Sequence, residues 1–134
     1  MANQLVVTES LSQRMIDAGA NLIRTLDEKG VTVRAVFWFY LDGSDTWRLI
    51  IASPDVPAKG PKQIYERLQT ILGEYPGGEQ IDLRDISVVS PTDSLVALLR
   101  IGIKTGPNDI SGIRFSRNTV SGQFIRDAYI YRLT

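Results

Sequence analysis

The chain reads as a single α+β domain over residues 1–134, with a mainly antiparallel sheet of about five strands and three helices, in the order α-β-β-α-β-α-β-β. Three observations predict this. Residues 31–53 hold two runs rich in β-branched and aromatic side chains, V-T-V-R-A-V-F-W-F-Y-L and T-W-R-L-I-I-A-S, on either side of Asp42-Gly43-Ser44-Asp45. Residues 11–29 carry an apolar stripe at three- and four-residue spacing. A second hairpin pattern closes the chain at residues 110–133, and hairpins at both ends favour antiparallel pairing with helices packed on the sheet. A length of 134 residues is enough to bury one core without staples.

The first helix is expected over residues 11–29. Ser10 and Gln13 have the capping-box spacing, and Gly30 offers a C-terminal stop. Leu11, Met15, Ala18, Leu22 and Leu26, widened by Ile16 and Ile23, make its buried stripe. In the hairpin, alternation puts Val31, Val33, Ala35, Phe37, Phe39 and Leu41 on one face and Thr32, Arg34, Val36, Trp38 and Tyr40 on the other. On the return strand Trp47, Leu49 and Ile51 oppose Arg48, Ile50 and Ala52. Both faces are apolar near the turn, so cover is expected on both, from another segment or from a second copy of the chain. Gly43 is the turn residue expected to take a positive φ.

Pro54 and Pro57 mark a connection that cannot continue a central strand. A second helix is expected over residues 60–73, with Pro61 in its first turn, Ile64, Leu68, Ile71 and Leu72 inward and Tyr65 at the border. Residues 74–80 read as a loop from their proline and glycines. A third strand is expected over residues 85–89. Ser90-Pro91-Thr92-Asp93 then opens a short helix over residues 91–100, apolar at Leu95, Val96, Leu98, Leu99 and Ile101. The last strands fall at residues 110–117 and 124–133, joined through a turn at 118–123.

Composition narrows the chemistry. There is no cysteine, which removes disulfides, thiolate nucleophiles and zinc-thiolate sites and is compatible with a reducing cytosol. There is no histidine, the side chain most used for proton transfer near neutral pH and the commonest metal ligand. Fifteen basic residues balance fifteen acidic ones, so no global field steers nucleic acid or an anionic membrane to the protein. The N-terminus lacks the pattern of a secretion signal, and the longest apolar stretch, residues 95–103, is too short to span a bilayer. No phosphate-binding glycine loop and no Gly-x-Ser-x-Gly turn occurs.

Three groups of residues are candidates for function. Val36, Trp38, Tyr40 and Ile50 are surplus apolar side chains on the central hairpin, and they predict an interface, most economically with a second copy of the chain. Asp82, Asp85 and Asp93 surround the third strand, where acids plus water hold divalent cations; capping and solubility explain the same residues. From Lys104 onward there are five basic and two acidic residues, giving Lys104, Arg114, Arg117, Arg126 and Arg132 as a basic segment able to grip phosphates. Alternation predicts that Arg126 and Arg132 share a face with Ala128 and Ile130, while Ile125, Tyr129, Tyr131 and Leu133 point away, separating arginine from ring. The leading expectation is a soluble, cytoplasmic, non-enzymatic protein-interaction or regulatory module, homodimeric, with a protein partner, no cofactor and no membrane contact. Its alternatives are a metal-dependent hydrolase or nuclease using the three aspartates, and a weak nucleic-acid binder using the basic segment.

Overall fold

A computed structural model describes residues 10–74 and 78–134. The N-terminal stretch without a secretion-signal pattern, and residues 75–77 of the expected loop, lie outside the described residues. The elements are α1 (Gln13–Glu28), β1 (Ala35–Leu41), β2 (Thr46–Ala52), α2 (Asp55–Lys59), α3 (Lys62–Leu72), β3 (Ile86–Val89), α4 (Ser94–Gly102), β4 (Ile113–Val120) and β5 (Gln123–Leu133). The five strands form one sheet in the order β3-β2-β1-β5-β4. β2 and β3 run parallel and the other neighbours antiparallel, so the sheet is mixed. The parallel pair follows from the connection, because the helical crossover α2–α3 brings the chain back to the end where β2 began.

Local chemistry explains the boundaries. Ser12 rather than Ser10 caps α1, its hydroxyl accepting the Met15 amide at 3.1 Å. The five-residue α2 is a helix beyond the three expected. Pro54 and Pro57 permit it, since first-turn positions have no intrahelical N–H bond to lose. Helix α3 follows Pro61 and buries Ile64, Leu68 and Ile71. Asp93, not Ser90, caps α4 by accepting the Leu95 amide at 3.0 Å. In the β1–β2 turn Asp45 takes the left-handed conformation (φ 53°) in place of Gly43, a role that aspartate tolerates. Ser121 and Gly122, both at positive φ, form a two-residue turn between β4 and β5.

Two cores lie on opposite sides of the sheet. Val36, Trp38, Tyr40, Trp47, Leu49 and Ile51 pack with Leu22, Ile23 and Leu26 of α1 and Ile64 and Leu68 of α3. Ala35, Phe37, Ile50 and Ala52 pack with Val96 and Leu99 of α4 and with Ile125, Ala128, Ile130 and Leu133 of β5. The alternation predicted for the hairpin therefore holds over β1 and β2, but Val31 and Val33 precede β1 and lie in the α1-side core rather than with Ala35 and Phe37. The alternation predicted for β5 does not hold. Val36 pairs with Arg132 but Phe37 with Ile130, so β5 carries one extra residue, Tyr131, at a bulge. Past the bulge the faces exchange. Leu133 joins the α4-side core, and Arg132 turns toward α1.

Arg132 is 1 % exposed. It donates to both carboxylate oxygens of Asp27, at 2.9 and 3.0 Å, and to the Asp109 carbonyl at 3.0 Å. One buried guanidinium thus ties the end of α1 to the loop before β4. Tyr131 beside it accepts from the Trp38 indole N–H at 3.0 Å and donates to the Ile16 carbonyl at 2.6 Å, over the bare Cα of Gly19. At the β3 edge, the Tyr65 hydroxyl accepts the Val88 amide at 2.9 Å, which satisfies a donor that an edge strand otherwise presents to solvent.

Candidate functional site

The four residues expected to form an interface are enclosed by their own chain. Val36, Trp38, Tyr40 and Ile50 are 0, 1, 5 and 7 % exposed, and they are divided between the two cores. Helices α1 and α3 pack with Val36 and Trp38, α4 packs with Ile50, and the Tyr40 ring lies beneath the Arg126 guanidinium, so the four do not form one apolar surface for a partner. The physical reason is the number of layers. A hairpin apolar on both faces needs two covers, and the helices here lie on both sides of the sheet.

The three aspartates do not converge. Asp82 caps a 3-10 turn at Leu83–Asp85 and is held by Arg84, whose guanidinium donates to it at 2.8 Å. That donor, together with the Arg84 amide, lowers the Asp82 carboxyl from 3.8 to about 2. Asp93 is committed to the N-terminus of α4. Among the described residues no group of three acids stands where it could hold a metal ion.

The basic segment splits. Arg132 is buried against Asp27, and Lys104 lies in the loop whose next residue, Thr105, bonds to Leu133 at the far end of β5. Arg114, Arg117 and Arg126 instead gather around the turn end of the central hairpin. Tyr40 and Trp47, cross-strand partners, meet edge to face with ring centroids 5.4 Å apart. The Arg126 guanidinium lies over the Tyr40 ring at 5.3 Å, and that of Arg114 over Trp47 at 5.6 Å. In a flat sheet β4 and β2 stand roughly 14 Å apart, three strand spacings. Arg114 on β4 and Trp47 on β2 nonetheless reach each other across the two intervening strands.

A second break in alternation falls at Arg117 and Arg126, the one position missing from the β4–β5 ladder. Arg117 has φ 50°, a conformation uncommon outside glycine. In a regular ladder Arg117 would share a face with Phe115, and Arg126 with Ala128. Here Phe115 and Ala128 belong to the α4-side core, while Ser116, Arg117, Arg126 and Asp127, consecutive pairs on both strands, line one cleft with Tyr40 and Trp47. Ile125, which alternation would place with Asp127, is buried on the other side. The separation of arginine from ring expected from the β5 sequence is therefore reversed.

Acids orient two of the three guanidinium groups. Asp127 takes Arg114 through two hydrogen bonds, the Nε one at 2.7 Å, and this pairing raises the Arg114 pKa above its usual value. Asp42 takes Arg126 at 3.1 Å. Arg117 is exposed and has no ion pair among the described residues. Phe124, 58 % exposed, lines a second cleft with Asp42, and Arg117 and Arg126 belong to both. The aspartates and Phe124 could not be assigned to this site from the sequence, because the β1–β5 pairing that assembles it joins segments more than eighty residues apart.

Fold and site together define a three-layer α+β domain with a guanidinium-rimmed, aromatic-floored cleft. No protein-family model, no curated protein and no solved structure matches the chain. No helix among the described residues is long and apolar enough to cross a membrane.

Proposed function

We propose that the chain is a non-catalytic, cytoplasmic protein-interaction module that works as a homodimer, with the α4 side of the sheet as the face where two copies meet. The observation that supports this is the unequal cover of the two sides. Helices of 16 and 11 residues pack on one side and a single nine-residue helix on the other. Five strands span roughly 20 Å, while one helix with its side chains covers about 10 Å. Phe39, Leu95, Leu98, Ile113, Phe115 and Val120 are accordingly only partly buried there, and Ile101 on α4 is 66 % exposed. Residues of this kind, rimmed by polar neighbours, suit a self-complementary contact.

The test is light scattering during size exclusion of the chain and of Ile101→Glu. The unaltered chain is expected to elute with twice the 14.9 kDa chain mass. Ile101→Glu is expected to elute as a monomer that still unfolds cooperatively, its melting temperature lowered only by the stabilisation that self-association supplies, because the side chain contributes little to its own core. A monomeric unaltered chain across micromolar concentrations, or a dimer indifferent to the glutamate, would remove the proposal.

A further inference from the structure

We infer that the cleft between the β1–β2 turn and the β4–β5 hairpin binds a carboxylate of an acidic protein segment, with Arg117 receiving the charge and Phe124 packing against an adjacent apolar side chain. The inference takes from the proposed function only that the partner is a protein, and it places that partner away from the face assigned to self-association.

Four features carry it. The left-handed backbone at Arg117 is a conformation that persists only where the surroundings fix it, and its effect is to turn Ser116 and Arg117 into the same cleft. Arg117 is the cation there without an ion pair among the described residues, whereas Arg114 and Arg126 are held by Asp127 and Asp42 and braced on Trp47 and Tyr40. An arriving carboxylate therefore meets a planar donor fork beside a rigid rim, a geometry suited to two-point recognition. Phe124 lines the adjoining cleft, which shares Arg117 and Arg126, so an anion on Arg117 has an exposed apolar neighbour.

Charge selects the ligand class. Three guanidinium groups stand against Asp42 and Asp127, and Asp45, whose carboxylate takes the Tyr40 hydroxyl at 3.0 Å, brings the neighbourhood to neutrality. A polyanionic strand needs an extended positive surface, which this is not. A single carboxylate needs only the local positive centre at Arg117. The rings of Tyr40 and Trp47 are roofed by arginine and are not open as stacking platforms for bases.

The experiment follows the arginine side-chain Nε–H signals of the ¹⁵N-labelled full chain by NMR during titration with three probes. These are a blocked peptide of alternating glutamate and leucine, its glutamine counterpart, and an oligothymidine of matched length. The glutamate peptide is expected to move the Arg117 and Arg126 signals saturably, and the glutamine peptide to leave them in place. Arg117→Gln should weaken the interaction about tenfold, and Arg14→Gln, on the outer face of α1, should not change it. Ile101→Glu should bind as the unaltered chain does, so failure of self-association and failure of this site are read separately. The inference is overturned if the glutamate peptide shifts nothing, if the glutamine peptide binds equally, if Arg117→Gln is without effect, or if oligothymidine binds the same arginines more tightly.

Discussion

Replacing Gly19 with alanine puts a methyl group where the Tyr131 phenol now lies. A Cβ built on Gly19 overlaps the Tyr131 hydroxyl oxygen and lies only 2.8 Å from Cζ. At an exposed helical site the same change would stabilise by about 1 kcal/mol, because alanine is the better helix former. Here the ring must move. Overpacking of this kind costs about 1–3 kcal/mol. Moving the hydroxyl strands the Trp38 indole N–H in a core where that side chain is 1 % exposed, and an unsatisfied buried donor costs about 1–3 kcal/mol more. The net expectation is a loss of about 3 kcal/mol, or roughly 10 °C in melting temperature for a domain of this size. Denaturant titration measures it. Tyr131→Phe in the same chain removes the atom in closest conflict, so the double variant should be less destabilised than the sum of the singles by about 1 kcal/mol or more. A Gly19→Ala variant as stable as the unaltered chain, or strict additivity, would refute the packing of Trp38 and Tyr131 beneath α1 and with it the enclosure of the aromatic hairpin.

Two further expectations concern charge. Asp27→Asn leaves the buried Arg132 guanidinium without its counter-charge, and because the Asp27 side chain is 36 % exposed the loss should sit near the low end of the range for broken buried pairs, about 3 kcal/mol by denaturant titration. An unchanged unfolding midpoint would show that the pair is not formed in solution. Asp82, held at about 2 by Arg84, has a folded-state pKa below its ordinary 3.8, so its contribution to stability is present above that value and is lost as the pH falls through 2. Carboxyl NMR titration of Arg84→Ala should return Asp82 part of the way toward 3.8, since the residue 84 amide bond remains; a value unmoved by the substitution would assign the shift to another cause.

Much of the architecture is legible in side-chain periodicity, since α1, the central hairpin and α3 are long and strongly patterned. The faces of β1 and β2 follow directly from alternation. What escaped was set by single residues whose effect is not local. The extra residue at Tyr131 sends Arg132 to α1 and Leu133 to the opposite core, and nothing in Q-F-I-R-D-A-Y-I-Y-R-L marks where a bulge will fall. The left-handed Arg117 is equally silent, because arginine has no special liking for that conformation. The proline-bracketed segment became α2 because Pro54 and Pro57 occupy positions that need no N–H.

The candidate sites fared according to how far their parts lie apart in sequence. Surplus apolar surface on the central hairpin is a correct reading of composition, but two sheet faces with helices on each absorb it, and the uncovered remainder lies on α4, Phe39 and the β4–β5 hairpin. Arg114, Arg117 and Arg126 are visible as a basic run, while their partners Asp42, Tyr40 and Trp47 sit on another hairpin and enter only through strand order. Asp93 acts as the cap that its place before an apolar helix suggests.

The face beneath α4 is tested most directly by sedimentation equilibrium of the unaltered 134-residue chain over a hundredfold range of concentration. Self-association there requires the weight-average mass to rise toward twice 14.9 kDa, with a standard-sized contact of about 1,200 Å² or more placing the midpoint in the micromolar range or below. A mass fixed at 14.9 kDa throughout would mean that a single nine-residue helix suffices for that side of the sheet and that no second copy completes it.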